Sequence, residues 1–529
     1  MKTMIVSSLE KVFWDQQPEQ WNHPSLTLLS NERGAFQAAF CCEGPGTVSV
    51  SLSGVPKFES FQVVSVPSSY PCHEQRDPLY VRTQPGLYPD LLKPMTLPAM
   101  LQAKPGSWQA VWISFQDLTP GTYEIKVTID GQILTLPLHV LPQCLPPQTL
   151  YHTEWFHGDC LADYYGAEVF SEDHWQAIEG FLKGAARCGV NMLLTPVFTP
   201  PLDTEPGGER TTIQLVDVEE TRDGYLFSFG KLRRWIGLCQ KYGITEIEFS
   251  HLFTQWGASA APKILVRKNG KWIRKFGWNT DPLGEEYRSF LRQFLKALKA
   301  EMEAIGIWEH CWFHISDEPS EDQKESYRAA KESISDLLPE QRCIDALSSF
   351  EFFQNGIIRH PVVCEDHIEP FVKAGVEGLW TYYCTAQGVK VPNRFFSMPS
   401  GRNRILGTLL YVYDLKGFLH WGLNFYNSQF SKAHIDPFGV TDAGGAFPSG
   451  DPFLLYPAPD KTAWLSIRSE VLQEGLQDLR LLKLAEEKLG RQKVLSLLDE
   501  IAGAPMTFET YPTGEDFFYK LRETFLPWI

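Results

Sequence analysis

The chain has 529 residues, 43% of them hydrophobic and 21% charged, with a formal net charge of −16. Such a composition belongs to a soluble globular protein, and the length suggests two to four domains. The acidic balance argues against nucleic acid and anionic membranes as partners, and no run of eighteen apolar residues is present to span a bilayer.

Met1 to Gln20 carries Glu10, Lys11 and Asp15 and lacks the apolar core of a secretion signal. The eleven cysteines are scattered, with Cys41-Cys42 the one close pair and no C-x-x-C. Both features point to a reduced, cytoplasmic protein. Aromatic content reaches 13%. Core packing must explain most of these rings, but sugars also stack their C–H faces on aromatic side chains.

Residues 1–145 read as β structure. Gly46–Ser53 alternates at period two, Ser107–Phe115 is another strand, and Gly121–Val140 reads as a hairpin turning at Asp130-Gly131. Short strands separated by turn signals predict an antiparallel β-sandwich. Leu141–Pro147 reads as the linker that follows.

Beyond residue 150 the pattern becomes strand, loop, helix. Eight strands are predicted, at Thr149–Phe156, Asn191–Phe198, Glu246–Phe253, His310–Ile315, Arg342–Leu347, Pro361–Asp366, Gly378–Cys384 and Gly417–Phe425. Helices are predicted at Ser171–Arg187, which opens on a serine cap, and at Gly230–Tyr242, Glu285–Ile305, Glu321–Leu338 and Ala463–Leu489. The count predicts an α/β fold, a (β/α)8 TIM-type barrel over 150–490, preceded by the sandwich and followed by a helical extension over 491–529. Arg468, Glu470 and Glu474 on the last long helix read as a surface ion-pair series.

In such a barrel the strand C-termini converge on one face. Polar and aromatic residues collect there: His157, His251, Asp317 and Glu318, Glu365-Asp366-His367, Tyr382 and Tyr383, Trp421 and Asn424. The most informative stretch is Cys311–Pro319, an apolar run that stops at two adjacent carboxylates and a proline. Ser316-Asp317-Glu318-Pro319 is also an ordinary helix start, with a serine cap, acidic residues at the dipole and proline in the first turn.

Most glycosidases place two carboxyls roughly 5–9 Å apart on either side of the scissile bond. Neighbours on one strand serve that geometry poorly. They suit a mechanism in which the substrate's own 2-acetamido oxygen attacks the anomeric carbon. Glu318 would then protonate the leaving oxygen and later activate water. Asp317 would accept from the acetamido N–H and stabilise the oxazolinium. A tyrosine hydroxyl could hold the acetamido oxygen, and a tryptophan could floor the pocket.

The chain resembles glycoside hydrolase family 123, the β-N-acetylgalactosaminidases, from about 150 to 485. The resemblance is carried by Ile315-Ser316-Asp317-Glu318-Pro319, Trp380–Cys384, Gly417–Phe425, Gly450–Pro457, Ser466–Asp478, and Tyr164-Tyr165-Gly166 with Glu172–Trp175. It places the functional tyrosine at Tyr382. It implies a β-sandwich before the barrel, retention at the anomeric carbon, and no cofactor. The implied partner is a glycan or glycoconjugate ending in a β-linked N-acetylhexosamine. Thr381 and Pro452 depart from the family pattern, where an aromatic and a glycine are usual.

Asp317 and Glu318 are therefore the expected catalytic pair, with Tyr382, Trp421, His251, His157 and Asn424 as candidate sugar contacts. No metal is expected; Glu365-Asp366-His367 reads as a solvated loop. Two rivals stand beside this reading. One is a retaining glycosidase with Glu365 or Asp366 as nucleophile, and the other is a carbohydrate-binding protein without activity. Motifs for phosphate loops, dinucleotide binding, serine hydrolases and zinc proteases are absent.

Overall fold

The structure is a computed structural model and describes residues 1–529. Its fold is mixed α/β. Near the N-terminus two sheets pack around one core. The five-stranded sheet runs, in spatial order, Leu26–Leu29, Gln132–Leu141, Gly121–Ile129, Gly46–Ser53, Ala99–Ala103. Its central hairpin turns at Asp130 (φ 46°) and Gly131 (φ 79°), both left-handed, which matches the twist of the flanking strands. The seven-stranded sheet runs Lys2–Ser7, Gly34–Cys41, Trp108–Phe115, Glu59–Ser68, Gly86–Met95, Ala463–Ser466, Tyr456–Pro457. Alternate residues of the two sheets, among them Phe36, Phe40, Ile113, Val48, Ile125 and Leu136, meet in a shared apolar cluster.

The remaining chain builds an eight-stranded parallel sheet from Tyr151–Glu154, Met192–Thr195, Glu246–Phe249, Cys311–Phe313, Asp345–Leu347, Pro361–Cys364, Trp380–Tyr382 and Gly417–His420. Each strand pairs with its neighbour in sequence, except that the fourth and fifth meet through a single parallel bridge, Phe313 to Cys343. The first strand also pairs with the eighth, in register from Tyr151–Gly417 to Glu154–His420. Helices Glu172–Arg187, Gly230–Lys241, Glu285–Ala304, Lys324–Glu332, Ser400–Val412 and Ile467–Leu489 lie between or after the strands. The fifth and sixth strands are followed only by the short helices Phe350–Gln354 and Glu369–Lys373. Ser171 caps the first long helix, accepting from the His174 N–H.

Two hairpins not expected from the sequence, Asp217–Ser228 and Ile264–Phe276, join in a separate four-stranded sheet. Tyr225 and Phe227 of that sheet pack on Phe290 and Phe294 of helix Glu285–Ala304. The helix expected at Glu321–Leu338 is broken into Lys324–Glu332 with a 3-10 turn on either side.

The end of the chain corrects two expectations. Ala463–Ser466 is a strand rather than the first turn of a helix, because Leu465 pairs with Leu92 in the seven-stranded sheet. The helix starts at Ile467, and Ser466 caps it by accepting from the Ser469 N–H. Arg468, Glu470 and Glu474 are not on the surface: they are 3%, 3% and 8% exposed. Arg468 grips Asp90 at 2.8 and 3.0 Å, Glu470 accepts from Arg187 at 3.0 and 3.2 Å, and Glu474 accepts from Arg404 at 2.9 Å. The helix is buried because helix Ser400–Val412 lies directly on it. A Cβ at Gly407 would come within 1.7 Å of the Gly475 carbonyl oxygen.

Candidate active site

The fourth strand ends at Phe313, and the next six residues build the site. The His314 ring turns inward between carboxylates of the third and fifth strands. Its Nε2 lies 2.5 Å from Glu248 Oε1 and its Nδ1 lies 3.1 Å from Asp345 Oδ1. Both nitrogens must donate to carboxylates, so the ring is an imidazolium. Burial opposes that charge, but the bonds to Asp345 and Glu248 outweigh it and raise His314 to about 10. Asp345 is further fixed by the Ile315 N–H at 3.0 Å and by the Tyr327 hydroxyl. Glu248 also accepts from Trp155 Nε1 at 2.8 Å and from the Thr153 hydroxyl.

The ordinary helix-start reading of Ser316–Pro319 does not describe this segment. The Ser316 hydroxyl donates to the Thr254 carbonyl at 2.8 Å, and Ser320 caps the following turn instead. Asp317 is buried, and its carbonyl accepts from the Trp256 N–H at 2.9 Å. Glu318 sits in the left-handed region at φ 41°, a strained conformation for a residue with a side chain. The strain turns its carboxyl toward the end of the seventh strand, where the Tyr382 hydroxyl donates to Oε1 at 2.7 Å.

Both carboxyls open on a cavity of about 350 Å³. Trp155, Leu202, Leu419 and Trp421 line it from the strand ends and the loops after them, with Ala346 and Tyr382. Trp256, Phe430 and Phe447 line it from loops, with Gln255, Gln429 and Asp203. Burial, then the neighbouring Glu318 charge, pushes Asp317 well above the usual carboxylate range, while His314 pulls it back. Glu318 is itself an exposed residue, yet the protein around its carboxyl limits hydration and raises it, while the Tyr382 bond opposes that rise. Burial lifts Asp203 to about 6, and its Oδ2 accepts from the Phe430 N–H at 3.0 Å.

Of the residues singled out by sequence, Asp317, Glu318, Tyr382 and Trp421 come together around this cavity. His157, Asn424 and His251 lie outside its lining. The Asn424 amide bonds the His157 backbone at both N–H and carbonyl, 2.9 and 3.0 Å. The His157 ring is held by Arg210 at 3.0 Å and by the Trp421 carbonyl at 2.9 Å; burial and then Arg210 lower it to about 3. These two residues support the backbone beneath Trp421. His251 is fully buried, stacked on His314 with centroids 4.3 Å apart; burial and then the His314 charge keep it neutral. Glu365 is buried away from the cavity, and burial holds its carboxyl well above the usual range.

His251, His314 and Asp345 stand close enough to share a metal ion, as do Cys364, Asp366 and His367. In the first group His314 has no lone pair left to give. In the second, His367 is tied to Asp366 at 2.7 Å.

Trp155 was legible as an aromatic at the end of the first strand. The other missed lining residues, Asp203, Trp256, Phe430 and Phe447, carry no local signal. The first three hold positive φ values of 38°, 59° and 58°, a loop shape that their neighbours impose.

Paired carboxyls at parallel strand ends, opening on an aromatic cavity, are the equipment of a glycoside hydrolase. The family model described as "Glycoside hydrolase 123, catalytic domain" matches residues 155–485, and the chain belongs to that family. A sequence search of curated proteins returns no match. Among solved structures, the fold is similar to that of a family 123 glycoside hydrolase from Clostridium perfringens, described for its glycolipid glycan hydrolysis. That match has a TM-score of 0.74 at 16% identity and covers 99% of this chain and 97% of the other. A xylanase 10B from Clostridium thermocellum aligns over 89% of this chain and 93% of its own, at TM-score 0.30 and 9% identity.

Proposed function

We propose that this chain is an exo-acting, retaining β-N-acetylhexosaminidase with N-acetylgalactosamine as its preferred sugar, working through an oxazolinium intermediate. One observation carries the reading: Asp317 and Glu318, adjacent in the loop that follows the fourth strand, line one aromatic cavity, with Glu318 bonded to Tyr382. We read the eight parallel strands as a (β/α)8 barrel over 150–490, the sheets of 1–145 as a β-sandwich, and 491–529 as a helical extension.

In this mechanism the acetamido oxygen attacks the anomeric carbon as Glu318 passes its proton to the departing oxygen. The raised affinity of Glu318 for its proton suits that role. Asp317 accepts from the acetamido N–H and balances the oxazolinium charge in its ionised form, which burial and the Glu318 charge oppose and the His314 cation favours. Glu318, now a carboxylate, takes a proton from the water that opens the oxazolinium. Trp421 and Trp155 offer apolar faces to the pyranose, and Tyr382 stands beside the acetamido pocket. The substrate class is a glycoconjugate ending in a β-linked N-acetylhexosamine; the glycolipid glycans of the Clostridium perfringens relative are one such class.

The test is a panel of aryl β-glycosides that includes N-acetylgalactosaminide, N-acetylglucosaminide and galactoside. The acetamido sugars are expected to be cleaved and a thiazoline mimic of the intermediate to inhibit. Equal turnover of the plain galactoside ends the proposal. Asp203 favours a second reading, because it is the other carboxyl lining the cavity. A conventional nucleophile there would be trapped covalently by a 2-fluoro sugar, and substrate assistance leaves it unlabelled.

A further inference from the structure

The Gly450-Asp451-Pro452-Phe453 segment contributes nothing to the reaction above, yet Asp451 is fully buried one residue contact away from the cavity. Its Oδ2 accepts from Trp421 Nε1 at 3.0 Å. Its Oδ1 lies 3.4 Å from His420 Nε2. His420 Nδ1 takes hydrogen bonds from Arg394 Nη2 at 2.7 Å and from the Gly422 N–H at 3.0 Å, so the ring proton must sit on Nε2, facing Asp451. Arg394 in turn holds Glu154 in a two-pronged pair at 2.7 and 3.0 Å. Glu154, Arg394, His420 and Asp451 are each no more than 1% exposed.

We propose that Asp451 is a positioning residue that fixes the indole of Trp421 as the apolar floor of the sugar cavity, with Glu154, Arg394 and His420 holding Asp451 in register. This rests on reading the cavity as the sugar site. The chain joins the first strand, the loop after the seventh, the end of the eighth and the 450–453 segment. With its N–H taken by Asp451, Trp421 turns only its carbon faces and edges to the cavity. Those surfaces recognise the C–H face of a pyranose rather than its hydroxyls.

The segment carrying Asp451 is seated without slack. Gly450 adopts φ 102°, and a Cβ there would lie 2.9 Å from the Arg394 carbonyl oxygen. A Cβ on Gly422 would lie 2.6 Å from the Asp451 carbonyl oxygen. From the other side Arg468 Nη1 donates to the carbonyls of Gly450 and Phe453 at 2.6 and 2.8 Å. A carboxylate so clamped sets the tilt of the ring bonded to it.

The experiment compares wild type, Asp451→Asn, Asp451→Ala, Trp421→Phe and the Asp451→Ala/Trp421→Phe double variant. The substrate is whichever aryl β-glycoside the wild type cleaves. Asp451→Ala is expected to raise KM about tenfold or more with a smaller change in kcat. Asp451→Asn, isosteric but uncharged and with a single acceptor oxygen, should fall between it and wild type. In the Trp421→Phe background the Asp451 substitution should add nothing. Independent effects in the double variant overturn the proposal, as does an unchanged KM. Near-ultraviolet circular dichroism gives a readout that needs no substrate. The Trp421 band, wild type minus Trp421→Phe, should collapse in Asp451→Ala and weaken in Asp451→Asn. A band that persists in both overturns the positioning role; a collapsed band in a protein that cleaves none of the glycosides overturns only the sugar reading.

Discussion

The hydroxyl of Tyr382 donates to Glu318 Oε1 across 2.7 Å, tying the end of the seventh strand to the carboxyl at the end of the fourth. A bond of this kind stabilises the ionised carboxylate. It opposes the desolvation that drives Glu318 upward, and so eases release of its proton.

Tyr382→Phe removes that donor. Glu318 should then hold its proton to higher pH, and the alkaline limb of the kcat/KM profile should move upward. Activity at the wild-type optimum should fall about tenfold or more, as for loss of a charge-assisted hydrogen bond. A pH–rate profile on both enzymes checks this. A limb that stays in place separates Tyr382 from the acid.

The two carboxyls should answer differently to the leaving group. Glu318→Gln should cost about 10²–10⁴-fold on a sugar or alkyl leaving group, which needs a proton, and far less on dinitrophenol, which does not. Asp317→Asn should lower both by similar factors, because its work is on the acetamido arm and the oxazolinium charge. Steady-state rates on a leaving-group series distinguish the two. A flat series for Glu318→Gln would remove it from the acid role.

The legible parts of this protein were those whose signals are local. Gly121–Leu141 alternates at period two around Asp130-Gly131, and the hairpin follows. Apolar runs marked the eight parallel strands, and polar residues at their ends marked the pair at Asp317 and Glu318 with Tyr382 and Trp421. The same signal marked His157 and Asn424, but the Asn424 amide is taken by the His157 backbone and the His157 ring by the Trp421 carbonyl and Arg210; a sequence does not say whether a strand-end polar group is already satisfied. Arg468, Glu470 and Glu474 have the spacing of a solvated helix face. They are buried because partners from residues 33, 90, 187 and 404 arrive from distant parts of the chain. Ala463–Ser466 continues a helical pattern but was captured by the edge of a sheet built far earlier in the chain, at Leu91 and Leu92.

His314 should control the acid side of the pH profile. Its cation is the one group pulling Asp317 down against burial and against Glu318. His314→Gln removes the charge, so Asp317 should take up its proton at higher pH and the acid limb of kcat/KM should move upward. The same change leaves Glu248 and Asp345 facing each other without their shared partner, so the melting temperature should drop as well. A stability loss with an unmoved acid limb would mean that His314 serves only the packing beneath the site.

The Arg468–Asp90 pair should matter far more to stability than any exposed pair on this chain. Both side chains are within 3% of full burial. Arg468 also ties Asp90, in the seven-stranded sheet, to the carbonyls of Gly450 and Phe453. Arg468→Met strands a buried carboxylate whose remaining side-chain donor is the Tyr456 hydroxyl, and the expected loss is about 3–5 kcal/mol. The contrasting change, Lys373→Ala, breaks a pair 77% and 50% exposed with Glu369 and should cost under about 0.5 kcal/mol. Urea unfolding of the two variants measures the difference. The Arg468 loss should survive molar salt, since a buried pair is screened little. Comparable midpoints for the two variants, or an Arg468 effect that salt abolishes, would contradict a buried clamp.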